Sequence, residues 1–199
     1  FELLTTEVYD LVRENRAVDG LLPDVVISTA MDMQFKLVND GYALRHESQQ
    51  TAQIPQWANW RNEAFGFTFE PAVIVYNPNT LPAEDIPSTR FDLVRLLREK
   101  ASTYHGRVAS YDITKSGAGY LFATQDALQA HTYGHLLESF GRTAIHLANT
   151  TGAMLDAIEK GDILIGYNLL GSYTRLRIEQ GAPLAMVLPS DYTLVMSRV

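Results

Sequence analysis

The 199-residue sequence contains no cysteine, which excludes disulfides, thiolate nucleophiles and cysteine-based metal sites and leaves the compartment open. It has no apolar run of bilayer-spanning length, and Phe1 does not open a basic segment of the kind that starts a signal peptide. Basic residues are few and scattered. Sixteen Lys and Arg against 23 Asp and Glu give a formal net charge of −7, which argues against a nucleic-acid surface. No Gly-x-Ser-x-Gly elbow is present, and no nucleophile, acid/base pair or metal set is assembled, so an enzyme is not the expected reading. What is present is 46% apolar and 20% charged residues, enough to build one large domain or two small ones.

Residues 1–4 read as a strand, and Thr5-Thr6-Glu7 then supplies N-cap chemistry for a helix with Val8, Leu11 and Val12 on one face. Residues 24–29 form a short β-branched run without alternation, the pattern of a strand buried on both faces, and 30–38 read as a helix. A long strand is expected from Phe65 to Tyr76, ending at the turn Asn77-Pro78-Asn79. Thr89 and Asp92 start a helix running to Lys100. Strands at 107–113, 143–147, 163–165, 182–188 and 192–196 follow, with helices over about 125–140 and from Asn149 to the terminating Gly161. Strands alternating with helices define an α/β protein with mostly parallel sheets.

Three junctions share a design in which a strand ends, small or hydroxyl residues follow and a helix begins. They are Ser28-Thr29-Ala30, Ser116-Gly117-Ala118-Gly119 and Asn149-Thr150-Thr151-Gly152. Each offers free backbone N–H groups and the positive end of a helix dipole, which suits phosphate or carboxylate. Each is also an ordinary N-cap sequence, and both readings stand. After Ile163-Leu164-Ile165, the segment Tyr167-Asn168-Leu169-Leu170-Gly171-Ser172-Tyr173 presents amide, hydroxyl and phenol groups that hold a molecule better than they cut one.

Other constellations carry less. His131 and His135 are four apart on the expected helix, but the zinc-hydrolase Glu and a third ligand are missing. Trp57, Trp60, Arg61 and Glu63 cluster ahead of the long strand, either as a pocket wall or as a packed loop. Lys115 adjoins the glycine cradle, where it either attracts an anion or is simply solvated.

Together, residues 24–32, 69–77, 116–120, 166–173 and 189–195 resemble bacterial extracellular (periplasmic) solute-binding proteins of the type II periplasmic-binding fold. The resemblance is to the branch related to ferric-ion-binding and phosphoglycerate- or sugar-phosphate-binding proteins. It implies a two-lobed architecture, with 1–76 and 189–199 as the first lobe and hinge strands and 77–188 as the second lobe. Lobe closure on a solute then signals to a membrane partner, either an ABC-type permease or the membrane segment of a histidine kinase. The implied ligand contacts are Ser28, Thr29 and Ala30 from the first lobe, and Ser116 to Gly119, Asn149, Thr150, Thr151 and Asn168 from the second, with Tyr167 and Tyr173 flanking.

Two departures refine this expectation. Iron-binding members carry adjacent tyrosines just after the position of Asn168, because phenolates are strong ligands for ferric ion. Here Leu169, Leu170 and Gly171 occupy that stretch, so a small organic anion, phosphorylated or carboxylated, is expected with no metal and no cofactor. The family also implies a strand before Phe1 and helices after the return strand, so the first lobe is expected to be incomplete.

Overall fold

The computed structural model describes residues 3–199. Two helices, α1 (Thr5–Arg13) and α2 (Met31–Asn39), precede a hairpin of β1 (Asn59–Trp60) and β2 (Ala64–Phe65), and then comes the long strand β3 (Glu70–Tyr76). Next are α3 (Arg90–Glu99), β4 (Val108–Tyr111), α4 (Gly117–Gln129), α5 (Tyr133–Arg142), β5 (His146–Ala148) and α6 (Thr151–Glu159). They are followed by β6 (Ile165–Leu170), α7 (Gly171–Glu179), β7 (Ala185–Val187) and β8 (Val195–Met196).

The main sheet has the order β5-β4-β6-β3-β7, and β8 also pairs with β3. Pairs β4·β5 and β4·β6 are parallel, whereas β3 is antiparallel to β6, β7 and β8. Every strand of this sheet except β3 therefore runs in one sense, which gives the α/β class read from the alternation.

Val73, Ile74 and Val75 are fully buried, yet they feed different cores. Ile74 joins Leu93, Leu97, Val108, Phe140 and Tyr167 under α3 and α5. Val73 and Val75 join Phe122, Met154, Leu155, Ile158 and Leu169 under α4 and α6. A strand alternates faces with a period of two, so a continuous apolar run is stable only where both faces are covered. Each such side chain contributes about 1.5–3 kcal/mol on full burial. Helix α3 begins as its sequence dictates: Thr89 Oγ1 accepts from the Asp92 N–H at 2.8 Å, and Asp92 Oδ2 accepts from the Thr89 N–H at 3.1 Å.

Several expected boundaries move. The single helix expected over 125–140 is two helices, the first starting eight residues earlier at Gly117, and they are broken at Ala130, whose backbone is extended. The reason is packing: Phe122 of α4 serves one face of the sheet and Leu136 and Phe140 of α5 the other, which one straight helix cannot reach. The strand expected at 163–165 begins only at Ile165 and runs on through Asn168, so the expected bend is itself β6, and α7 starts at Gly171. Residues 24–29 pair with no strand among the described residues. Only Ser28 exchanges main-chain hydrogen bonds with Val199, at 2.9 and 3.2 Å, while Val25 and Ile27 are exposed. Strand propensity without a neighbouring strand yields an extended segment and no ladder. Of the strand expected at 1–4, Phe1 and Glu2 lie outside the described residues, and Leu4 is the N-cap of α1.

Gly119 permits the close contact of α4 with β4, because a Cβ built there would lie 2.3 Å from Tyr111 Cβ. Gly119→Ala is expected to lower the unfolding free energy in urea by about 1–3 kcal/mol through overpacking. The control Gly141→Ala has nothing within 4 Å of the added methyl and is expected to be neutral or mildly stabilising.

Candidate functional site

The site is built around the N-terminus of α4. Ser116 caps the helix, its Oγ accepting from the Gly119 N–H at 3.1 Å. Gly117 donates its N–H to Thr5 Oγ1 of α1 at 2.8 Å, and a Cβ on Gly117 would lie 2.9 Å from Ala30 Cβ at the start of α2. The glycine thus brings the first turns of three helices together. Ala118, one residue further on, has no acceptor for its N–H among the described residues. Ser28 Oγ accepts from the Ala30 N–H at 3.1 Å, and Thr29 is partly exposed beside it.

The rim continues through tertiary contacts. Ser28 pairs with Val199, and Arg198 Nε sits 3.3 Å from Glu70 Oε1. Glu70, almost fully buried, also accepts the hydroxyl of Ser172 in the first turn of α7. The Tyr173 ring lies beside Arg198, with the guanidinium carbon 5.2 Å from the ring centroid. Tyr111, at the end of β4, shares a 2.5 Å hydrogen bond with Thr151 Oγ1 at the start of α6. Burial raises the Tyr111 phenol well above its ordinary value, with smaller contributions from Tyr173 and Glu70, so it stays protonated. Thr150 caps α6, accepting from the Ala153 N–H at 3.2 Å, and Asn149 is exposed before it.

Most of these groups gather where β4, β5 and β6 end and their following helices begin, the usual ligand side of an α/β sheet. The capping hydroxyls of Ser28, Ser116 and Thr150 accept from backbone N–H groups and keep their own protons without a protein acceptor among the described residues. Capping and anion binding are therefore compatible uses of one side chain. Thr5, Glu70, Tyr111 and Arg198 were not singled out from the sequence as site residues, whereas Ser172 is the hydroxyl of the segment that was. The former come from distant segments, and no local motif marks them.

Tyr167 and Asn168 are placed elsewhere, inside a buried network. Asp126 Oδ2 accepts from Tyr167 Oη at 2.8 Å and from Asn168 Nδ2 at 2.7 Å, and Asp126 Oδ1 accepts from Tyr192 Oη at 2.8 Å. Arg90 Nε lies 3.2 Å from Asp126 Oδ1 and donates to Tyr167 Oη at 2.7 Å, while its Nη1 meets the Tyr192 carbonyl. Adjacent strand residues normally point to opposite faces. Here β6 carries an irregularity opposite Val73–Val75, and Asn168 has φ +61°, so both side chains reach one carboxylate. Burial and the Asp126 charge raise the Tyr167 phenol far above its usual range and keep it a donor. Asn168 engages both ends of its amide in this network, its Oδ1 accepting from Arg90 Nη2 at 3.3 Å, and the structure does not bring it into the rim.

The remaining candidates separate. His131 lies in the turn between α4 and α5 and His135 on α5, where it is 3.9 Å from Glu138, and no group of three metal-ligating residues occurs among the described residues. Trp60 packs edge-on against Phe35, Arg61 pairs with Glu63 at 2.7 Å, and Trp57 is exposed. Lys115 is exposed and loosely paired with Asp112 at 3.7 Å. Tyr167 and Tyr173 do not form a pair: one is buried in the network and the other stands on the rim.

This arrangement defines the type II periplasmic-binding fold over the length of the chain. The comparisons give it relatives: the chain is 39% identical to the substrate-binding protein of an ABC transporter from Agrobacterium tumefaciens, with a TM-score of 0.93 over 99% of this chain and 58% of that one. The periplasmic binding protein AfuA from Actinobacillus pleuropneumoniae, solved with fructose-6-phosphate, matches at 17% identity and TM-score 0.75, over 98% of this chain and 61% of that one. Iron-bound HitA from Pseudomonas aeruginosa matches at 16% identity and TM-score 0.71, over 98% and 63%. These two likenesses concern the fold alone. The resemblance to extracellular solute-binding proteins thus holds in the structure, although the chain spans only about three fifths of the length of these relatives. No protein-family model and no curated protein matches the chain.

Two outcomes test the electrostatics. Asp126→Ala leaves Arg90 buried without its main partner and is expected to cost about 3–5 kcal/mol in denaturant unfolding. Asp32, in the first turn of α2, has a buried Oδ1 without a partner, and burial raises its pKa against the pull of nearby backbone N–H groups. A carboxyl whose folded pKa is raised weighs against folding once ionised, so stability is lost as pH rises through that pKa. Asp32→Asn is therefore expected to raise Tm by about 1–4 °C at pH 7, with the gain vanishing below about pH 4.

Proposed function

We propose that the chain is the ligand-binding part of an extracytoplasmic solute-binding protein that captures a small organic anion and delivers it to an ABC-type permease. The observation that carries this reading is the convergence of the first turns of α2, α4, α6 and α7 on one rim, with the hydroxyl protons of Ser28, Ser116 and Thr150 left free among the described residues. Helix N-termini supply partial positive charge and N–H donors, which select phosphate or carboxylate without a large desolvation penalty. The 39% identity to an ABC transporter's substrate-binding protein supports the transport assignment. Residues 1–76 and 189–199 would form one lobe with the hinge strands and 77–188 the other, with Ser28 to Ala30 facing Ser116 to Gly119, Thr150 and Thr151 across the cleft. The Glu70 carboxylate that accepts the Ser172 hydroxyl is also engaged by Arg198, an arrangement that favours holding over reaction. Leu169, Leu170 and Gly171 stand where ferric ion would need phenolates, which favours an organic anion over iron.

A thermal-shift panel of sugar phosphates, phosphoglycerates, dicarboxylates and ferric complexes checks this. A true ligand at a hundred times its Kd is expected to stabilise by about 2.7 kcal/mol. Ser116→Ala is expected to weaken that ligand by about 1–3 kcal/mol, measured against the variant's own baseline because the lost cap costs about 1 kcal/mol of fold stability. Stabilisation by ferric complexes alone would overturn the organic-anion reading.

A further inference from the structure

Arg198 is held more firmly than its place near the end of the sequence suggests. Its carbonyl accepts from the Phe67 N–H at 3.1 Å, its N–H donates to Thr68 Oγ1 at 2.7 Å, and the next residue pairs with Ser28. The side chain is 27% exposed, and the guanidinium is oriented by Glu70 and by the Tyr173 ring. Glu70 is fixed in turn, since its other oxygen accepts the Ser172 hydroxyl.

A guanidinium fork can offer two parallel hydrogen bonds to a carboxylate or phosphate. Here the shortest contact is from Nε to Glu70 Oε1, at 3.3 Å, and neither Nη group makes a hydrogen bond among the described residues. The Nη edge is the part of the fork that matches two oxygens of a carboxylate or phosphate. Lys115, the cation nearest in sequence to the glycine cradle, has no comparable support and is 61% exposed along its side chain.

We infer that Arg198, positioned by Glu70 and Tyr173, is the charged contact that grips the anion through its Nη edge. This rests on the anion-binding reading above and adds a formal charge to a rim that the sequence presented as neutral. The ligand class is accordingly one with two coplanar anionic oxygens, and Glu70 acts as a positioning residue.

The test is titration calorimetry of the wild type, Arg198→Ala, Arg198→Lys and Glu70→Gln with inorganic phosphate and with fructose 6-phosphate, at two salt concentrations. Arg198→Ala is expected to weaken binding about 10- to 100-fold and to flatten the salt dependence. Arg198→Lys keeps the salt dependence and loses part of the affinity, because the charge remains and the fork is gone. Glu70→Gln is expected to weaken binding several-fold with the salt dependence intact. Wild-type binding that is unchanged in Arg198→Ala overturns this inference and leaves the anion reading standing. Should Arg198→Ala not fold, unchanged affinity in Arg198→Lys overturns the fork contact. A wild type that binds neither probe overturns the anion reading for these probes and this inference with it.

Discussion

The pairing of Arg90 with Asp126 is the constraint around which the second half of the molecule is arranged. Both side chains are at most 5% exposed, so each charge has lost nearly all its water. Such a pair is tolerated only when every remaining donor and acceptor finds a partner. Tyr167, Asn168 and Tyr192 supply those partners to Asp126, and Tyr167, Asn168, Asp191 and the Tyr192 carbonyl supply them to Arg90. The network joins the start of α3, the last turn of α4, the irregular part of β6 and the segment returning toward β8. It therefore fixes α4, whose other end presents Ser116 to Gly119 to the rim.

The rim itself is economical in charge. Its capping hydroxyls accept from the helix backbone and retain a proton to donate, so the groups that stabilise the helices are also the ones that can receive an anion. The packing explains the glycines in the same way. Gly119 is required by Tyr111 and Gly117 by Thr5 and Ala30, which makes both residues necessary to the fold before any ligand is considered. The charged groups on the rim, Glu70 and Arg198, arrive from segments that the β3·β8 pairing brings together.

Much of the architecture was legible in the sequence where local chemistry is strong. The box of Thr89 and Asp92, the Ser116 and Thr150 caps and the apolar run at Val73 to Val75 all announced their elements. The break between α4 and α5 was not legible, since their apolar residues serve opposite faces of a sheet whose position is unknown from sequence. Nor was the fate of residues 24–29, whose strand propensity has no described strand to pair with.

Asn168 shows the division most sharply. Its residue type and its place after an apolar strand marked it as important, and an asparagine tolerates the left-handed backbone it adopts. Whether its amide meets a ligand or a buried carboxylate depends on Asp126, 42 residues away. The sequence by itself determined the α/β class, the helix caps and the chemistry of the strand-to-helix junctions, because these depend on neighbours within about four residues. Tertiary structure alone decided that Tyr167 and Asn168 share one carboxylate, and that Thr5, Glu70, Tyr111 and Arg198 join the rim. Those partners are separated by whole elements, and only the packed sheet sets their distances.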